Sequence, residues 1–222
     1  MQNQWVMGRA GAGLRSACSR CDEHDIHHAV ERQSFGCTLG QSANETARKH
    51  QQILDQSSRL FRERGFSAVS VGQVMQAAGL THGPFYNHFA SKEALMAETL
   101  TQEMRRSVEK LGEYPATEKG LAKYIGEYLS QQHKDDSADG CPTSALAAEV
   151  RQHSDLRKPF TLQLEGMIQK IAAHFPWRSR RSARGDAIHL YASMVGAIIL
   201  ARAVNDEKFA GEILDAVRQR IQ

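Results

Sequence analysis

The chain has 222 residues, a net charge of +3 and 41% hydrophobic residues, enough for one large helical domain or a small one joined to a larger one. No apolar run approaches the roughly 18 residues needed to cross a bilayer, and Trp5 to Met7 is too short to form the core of a secretory signal, so a cytoplasmic protein without membrane attachment is expected. Four cysteines, three within the first 40 residues, do not make a secreted disulfide framework and read as reduced thiols.

Residues 1–42 are rich in Gly, Ser, Gln, Arg and His without helical or strand periodicity, which predicts a disordered tail. Cys18, Cys21, His24 and His27 invite a zinc reading, but paired ligands need a longer segment between the pairs for the chain to turn around a metal. No metal and no cofactor are expected. From Arg48 to Lys92 the chain is locally basic, with Arg48, Lys49, Arg59, Arg62, Arg64 and Lys92 against Asp55 and Glu63; this is either a solvated face or a phosphate-facing one.

Ala47, Leu54 and Phe61 recur at sevens, with Ile53 and Leu60 beside them, predicting an amphipathic first helix ended by Gly65. Ser70 with Gln73 forms a capping-box pattern for a second, short helix carrying Val71, Val74, Met75 and Ala78. Gly79 ends it, and Thr81 is placed to cap a third helix at once. Pro84 is tolerated there because first-turn N–H groups have no intrahelical partner. Phe85 and Phe89 point inward, leaving His82, Gly83, Tyr86 and Asn87 outward, and Ser91 caps the next helix. Two short helices locked at an angle make a helix-turn-helix, whose exposed helix suits a DNA major groove.

The run VGQVMQAAGLTHGPFYNHFASKEALMAETL resembles the DNA-binding signature of the TetR family of transcriptional repressors: an Ala-Gly-aliphatic-Ser/Thr turn, a Gly-x-aromatic-Tyr-x-His-Phe helix, then Ser-Lys-Glu-x-Leu. The resemblance implies an all-α fold with a DNA-binding domain over 43–90 and a larger effector-binding and dimerisation domain over 91–222. It implies groove or backbone contacts at Thr81, His82, Gly83, Pro84, Tyr86, Asn87 and His88, and phosphate contacts at Ser70 and Lys92. Tyr86 packing on a neighbouring helix, a structural His88 and a merely solvated Lys92 stay open as alternatives.

Beyond Leu95 a long helix runs to Gly112, and Thr117 opens another with Leu121, Tyr124, Ile125, Tyr128 and Leu129 as its stripe. His133 to Gly140 reads as a polar loop before a short helix starting near Pro142. Ser154-Asp155 caps a further helix, which Pro176 breaks. In the last pair, Ile188, Tyr191, Val195 and Ile198 form one apolar face and Ala187, Leu190, Met194, Ala197 and Ala201 another. A helix apolar on two faces needs a layer on each side, so a homodimer is expected, with Gly196, Ala197 and Ala201 permitting close approach.

Tyr124, Tyr128, Cys141, Phe160, Met167, His174 and Phe175 are the candidates for a small-molecule pocket, whose effector is expected to be apolar or aromatic; the same side chains also fit a plain core. Cys141, at a helix start, fits either a redox-sensing thiol or a small buried hydrophobe. The expected function is a repressor released from a palindromic double-stranded operator by its effector. The alternatives are a thiol-sensing regulator and a thiol- or metal-dependent enzyme. Neither a Gly-x-Ser-x-Gly elbow nor a His-Glu-x-x-His helix is present, so no catalytic residue is assigned.

Overall fold

The computed structural model describes residues 24–221, and the side-chain surroundings of residues 43–221. Among the described residues there is no strand, and the all-α expectation holds: α1 is His24–Arg64, α2 Val71–Ala77, α3 Lys92–Leu111, α4 Glu118–Tyr128, α5 Gln131–Asp135, α6 Pro142–Val150, α7 Ser154–His174, α8 Ala183–Ala203 and α9 Glu207–Ile221. Residues from Ala47 on form one compact unit, apart from the chain before them. The expected tail differs in that α1 starts at His24: once a helix is nucleated, each further residue adds a hydrogen bond cheaply, so periodicity is not required for extension. Cys18 and Cys21 lie outside the described residues, as do the side chains of His24 and His27.

Local signals set the breaks. Gly65 and Gly79 sit at φ 80° and 69°, the left-handed region that glycine enters without steric cost. The Ser70 hydroxyl accepts from Gln73 N while the Gln73 side chain accepts from Ser70 N, closing the capping box. Ser91, Thr117 and Ser130 cap α3, α4 and α5 with a single bond, each hydroxyl accepting from the backbone N–H three residues on.

Ser154 does not cap α7 as expected: it is the first residue of the helix, behind His153, which makes no side-chain cap. Three further expectations need correction. The third helix is a 3-10 turn, Gly83–Asn87, preceded by His82, and Thr81 makes no cap; with Pro84 near its start the segment is held by the i to i−3 bonds Phe85 N to His82 O and His88 N to Phe85 O. The polar loop after Tyr128 contains the one-turn helix α5, short enough to escape periodicity. α8, with 21 residues, is long and apolar enough by length and composition to cross a membrane, although its Ala187, Leu190, Tyr191, Met194, Ala197, Ile198 and Ala201 are buried in the helical core.

Two apolar cores result. The first gathers Ile53, Phe61, Phe66, Val74, Met75, Phe85, Phe89, Leu95 and Leu100, and also Leu146, Val150 and Leu156 from α6 and α7. The second joins α4, α7, α8 and α9 through Tyr124, Ile125, Met167, Ile171, Leu190, Met194 and Leu214.

Candidate functional site

The helix-turn-helix presents its outward residues as a consequence of where the aromatic rings go. Phe85 and Phe89 stack at 5.7 Å in the core, which turns the remaining side chains of the 3-10 turn away. Tyr86 is 66% exposed, with its ring edge-on to Phe85 and His82, so it is not packed on a neighbouring helix. His82, Gly83, Asn87 and Thr81 are exposed, and Pro84 is half-buried. A Cβ on Gly83 would meet nothing within 4 Å, so packing within the fold does not demand glycine there. His88 is half-buried, 5.8 Å from the ring of His50. Its pKa is lowered by burial, then by the positive charge of His50 and Lys49.

Ser70 and Lys92 already have internal partners. The Ser70 hydroxyl is the cap of α2, and Lys92 Nζ donates to Phe66 O at 2.7 Å, satisfying a carbonyl beyond the end of α1. An ammonium carries three donors, so two stay available to a phosphate.

Glu149, near the end of α6, accepts from Phe66 N at 2.8 Å and Ser67 N at 3.2 Å. A Cβ on Gly65 would lie 1.9 Å from Glu149 Oε1, so this approach needs glycine at 65. Arg62 makes a second tie, to Glu103 of α3 at 2.8 Å and to Asp139 at 3.6 Å.

The other end of α6 borders a cavity of about 540 Å³ between α3, α4, α8 and the 132–141 stretch. Tyr124, Tyr128, Cys141 and Met167 line it, joined by Tyr191, His133, Lys110 and Glu127. The other three pocket candidates lie elsewhere. Phe160 packs against the first core, His174 Nε2 bonds to Tyr114 O at 2.7 Å, and Phe175 backs Tyr124 in a stacked pair at 5.8 Å. Arg202 holds the cavity wall by donating to Lys134 O, His133 O and Asp136 O at 2.8, 2.9 and 3.1 Å. Tyr191 donates to Thr143 Oγ1 at 2.9 Å and lies 3.6 Å from Cys141 Sγ. Sequence reading missed Glu149, Arg62, Arg202 and His133 in these roles. Arg202, directly after the apolar run Val195–Ala201 of α8, was the one visible signal.

Residues 53–99 match the family model of bacterial regulatory proteins, tetR family. The HTH-type transcriptional repressor Rv1474c of Mycobacterium tuberculosis is 32% identical over 193 residues, 82% of this chain and 97% of that protein. The chain belongs to the TetR family. The HTH-type transcriptional regulator AcrR of Shigella flexneri is 45% identical, but over 58 residues that span only 26% of each chain. The structure of Escherichia coli NemR in its reduced form shares the TetR fold, with a TM-score of 0.66 at 22% identity, covering 78% of this chain and 95% of that one.

Proposed function

We propose that this protein is a dimeric repressor that binds a palindromic double-stranded operator through the Gly83–Asn87 turn and leaves it when a small molecule occupies the 540 Å³ cavity. The observation that carries this reading is the outward row His82, Gly83, Tyr86 and Asn87 on a buried Phe85–Phe89 pair, a polar edge of the kind a major groove accepts. Thr81, Pro84 and His88 flank that row, and Ser70 and Lys92 sit where backbone phosphates would pass. A stripe along α8 supports the dimer: Ile188, Ala192, Val195, Gly196 and Ile199 are exposed or half-buried. Ala197 and Ala201 do not belong to it, since both are buried inside the domain. The named relatives are bacterial regulators, which supports a cytoplasmic, non-enzymatic role. Sequencing the DNA that co-purifies with the protein tests the reading: one recurrent palindrome is the expected outcome, and sequence-indifferent recovery overturns it.

A second reading keeps the same DNA chemistry but makes Cys141 the sensor. Its support is the position of the thiol on the cavity wall beside Tyr191. Operator release on oxidation alone, abolished in Cys141→Ser, would favour this reading over the ligand.

A further inference from the structure

Resting on the reading of the cavity as the effector site, we propose that its ligand is a neutral, flat molecule carrying a carbonyl-type oxygen, received by the phenols of Tyr124 and Tyr128. The walls supply the flatness. The Tyr124 ring stacks on Phe175 and stands edge-on to Tyr114 at 5.3 Å, while Tyr128 lies 6.2 Å away, tilted. These rings are in contact with one another, and the edges and faces that Tyr114, Tyr124 and Tyr128 still turn to the cavity favour an aromatic ligand over a branched chain.

The polar requirement comes from hydrogen bonds left open. The Tyr191 hydroxyl is used on Thr143, but the buried Tyr128 hydroxyl has no oxygen or nitrogen partner, only the weakly accepting sulfur of Cys141 nearby. The Tyr124 phenol forms no hydrogen bond among the described residues either, but its oxygen is not fully sealed and keeps some exposure at the cavity it lines. Burial, together with the neighbouring Cys141, pushes both phenols upward in pKa, so both stay donors. A buried donor without an acceptor is costly, and an arriving ligand oxygen removes that cost.

Neutrality follows from the lack of a free ion at the floor, since the Arg202 guanidinium behind the wall is spent on the Lys134, His133 and Asp136 carbonyls. His133 uses both ring nitrogens internally, Nδ1 donating to Tyr128 O at 2.6 Å and Nε2 accepting from Cys141 N at 3.1 Å. Burial lowers its pKa and favours the neutral ring. The charged members of the lining, Lys110, Glu127, Asp136 and Asp139, are all exposed. A carboxylate or ammonium carried to the tyrosines would lose its water and meet no counter-charge.

The test is calorimetric titration of the full-length protein, without DNA, with 2-acetylnaphthalene, its hydrocarbon counterpart 2-ethylnaphthalene, and the ions 2-naphthoate and 2-naphthylmethylammonium. The ketone is expected to bind about tenfold more tightly than the hydrocarbon, as one well-placed hydrogen bond allows, and more tightly than either ion. Tyr124→Phe with Tyr128→Phe should erase the ketone's advantage while hydrocarbon binding persists, which also shows that the variant's cavity is intact. Equal binding of ketone and hydrocarbon, preference for an ion, no binding at all, or a ketone preference that survives in the double variant would each overturn the proposal. Operator affinity is measured separately: a ketone that binds with the expected selectivity yet leaves operator binding unchanged defeats the effector reading and leaves the ligand class standing.

Discussion

At the scale of single residues, the DNA-facing row separates stability from recognition. Gly83→Ala adds a methyl that meets nothing within 4 Å at a position outside the positive-φ pair, so the melting temperature should stay unchanged while operator affinity falls as the methyl blocks close approach. Unaltered affinity by fluorescence anisotropy would move the groove contact off Gly83. Asn87→Ala should cost about 1–3 kcal/mol of operator binding and relax preference at one base pair per half-site; full discrimination on an operator library would exclude Asn87 as a reader. Lys92→Ala carries a double expectation, because Nζ also holds Phe66 O: a drop in stability of roughly 1 kcal/mol and a salt slope shallower by about one unit. A stability loss with an unchanged slope would leave Lys92 a purely structural role.

Among the elements, α6 is where substitution should be most informative. Glu149→Ala removes the acceptor for two backbone N–H groups at the Gly65 turn, and, discounted for partial exposure, about 1–2 kcal/mol of stability should go with it. Urea unfolding checks this; a variant as stable as the parent would mean that water replaces the carboxylate at no cost. Elements with strong end signals were legible in the sequence, since Ser70, Ser91 and Thr117 each place a hydroxyl at a non-helical residue ahead of a helix. The 3-10 geometry at Gly83–Asn87 was not legible, because a proline in the first turn is equally compatible with an α-helix. The cavity was legible only in part. Tyr124 and Tyr128 share a stripe of α4, whereas Tyr191, Arg202 and Glu149 acquire their roles through contacts 50 or more residues apart in sequence, which no local pattern encodes.

For the whole molecule, the exposed face of α8 and two half-buried imidazoles give two further expectations. Ile199→Asp places a charge in the stripe with Ile188 and Gly196, and should convert a dimer to monomer in sedimentation without lowering helix content; a dimer that persists would move the interface elsewhere. His88 and His133 both have pKa values lowered in the fold, mainly by burial. The unfolded chain therefore binds more protons in the histidine range, and stability should rise with pH there. The contribution is fully present above the ordinary histidine value of 6.5 and is lost as pH falls below it. His88→Gln combined with His133→Gln should flatten that part of a melting-temperature profile, and an unchanged profile would assign the pH dependence to other groups.

Helix α6 has a consequence of another kind. Its first turn carries Thr143 beside Tyr191, its last turn carries Glu149 on the Gly65 turn, and Leu146 and Val150 belong to the core of the helix-turn-helix. Nine residues rise only about 13 Å, so one short rod is a structural member of both ends of the molecule. Coupling between two binding sites is reciprocal by thermodynamic necessity. If cavity occupancy weakens operator binding through this rod, operator DNA must weaken cavity binding by the same factor. A repressor seated on its operator would then answer only to effector concentrations above those that saturate the free protein, and the threshold would scale with the quality of each operator.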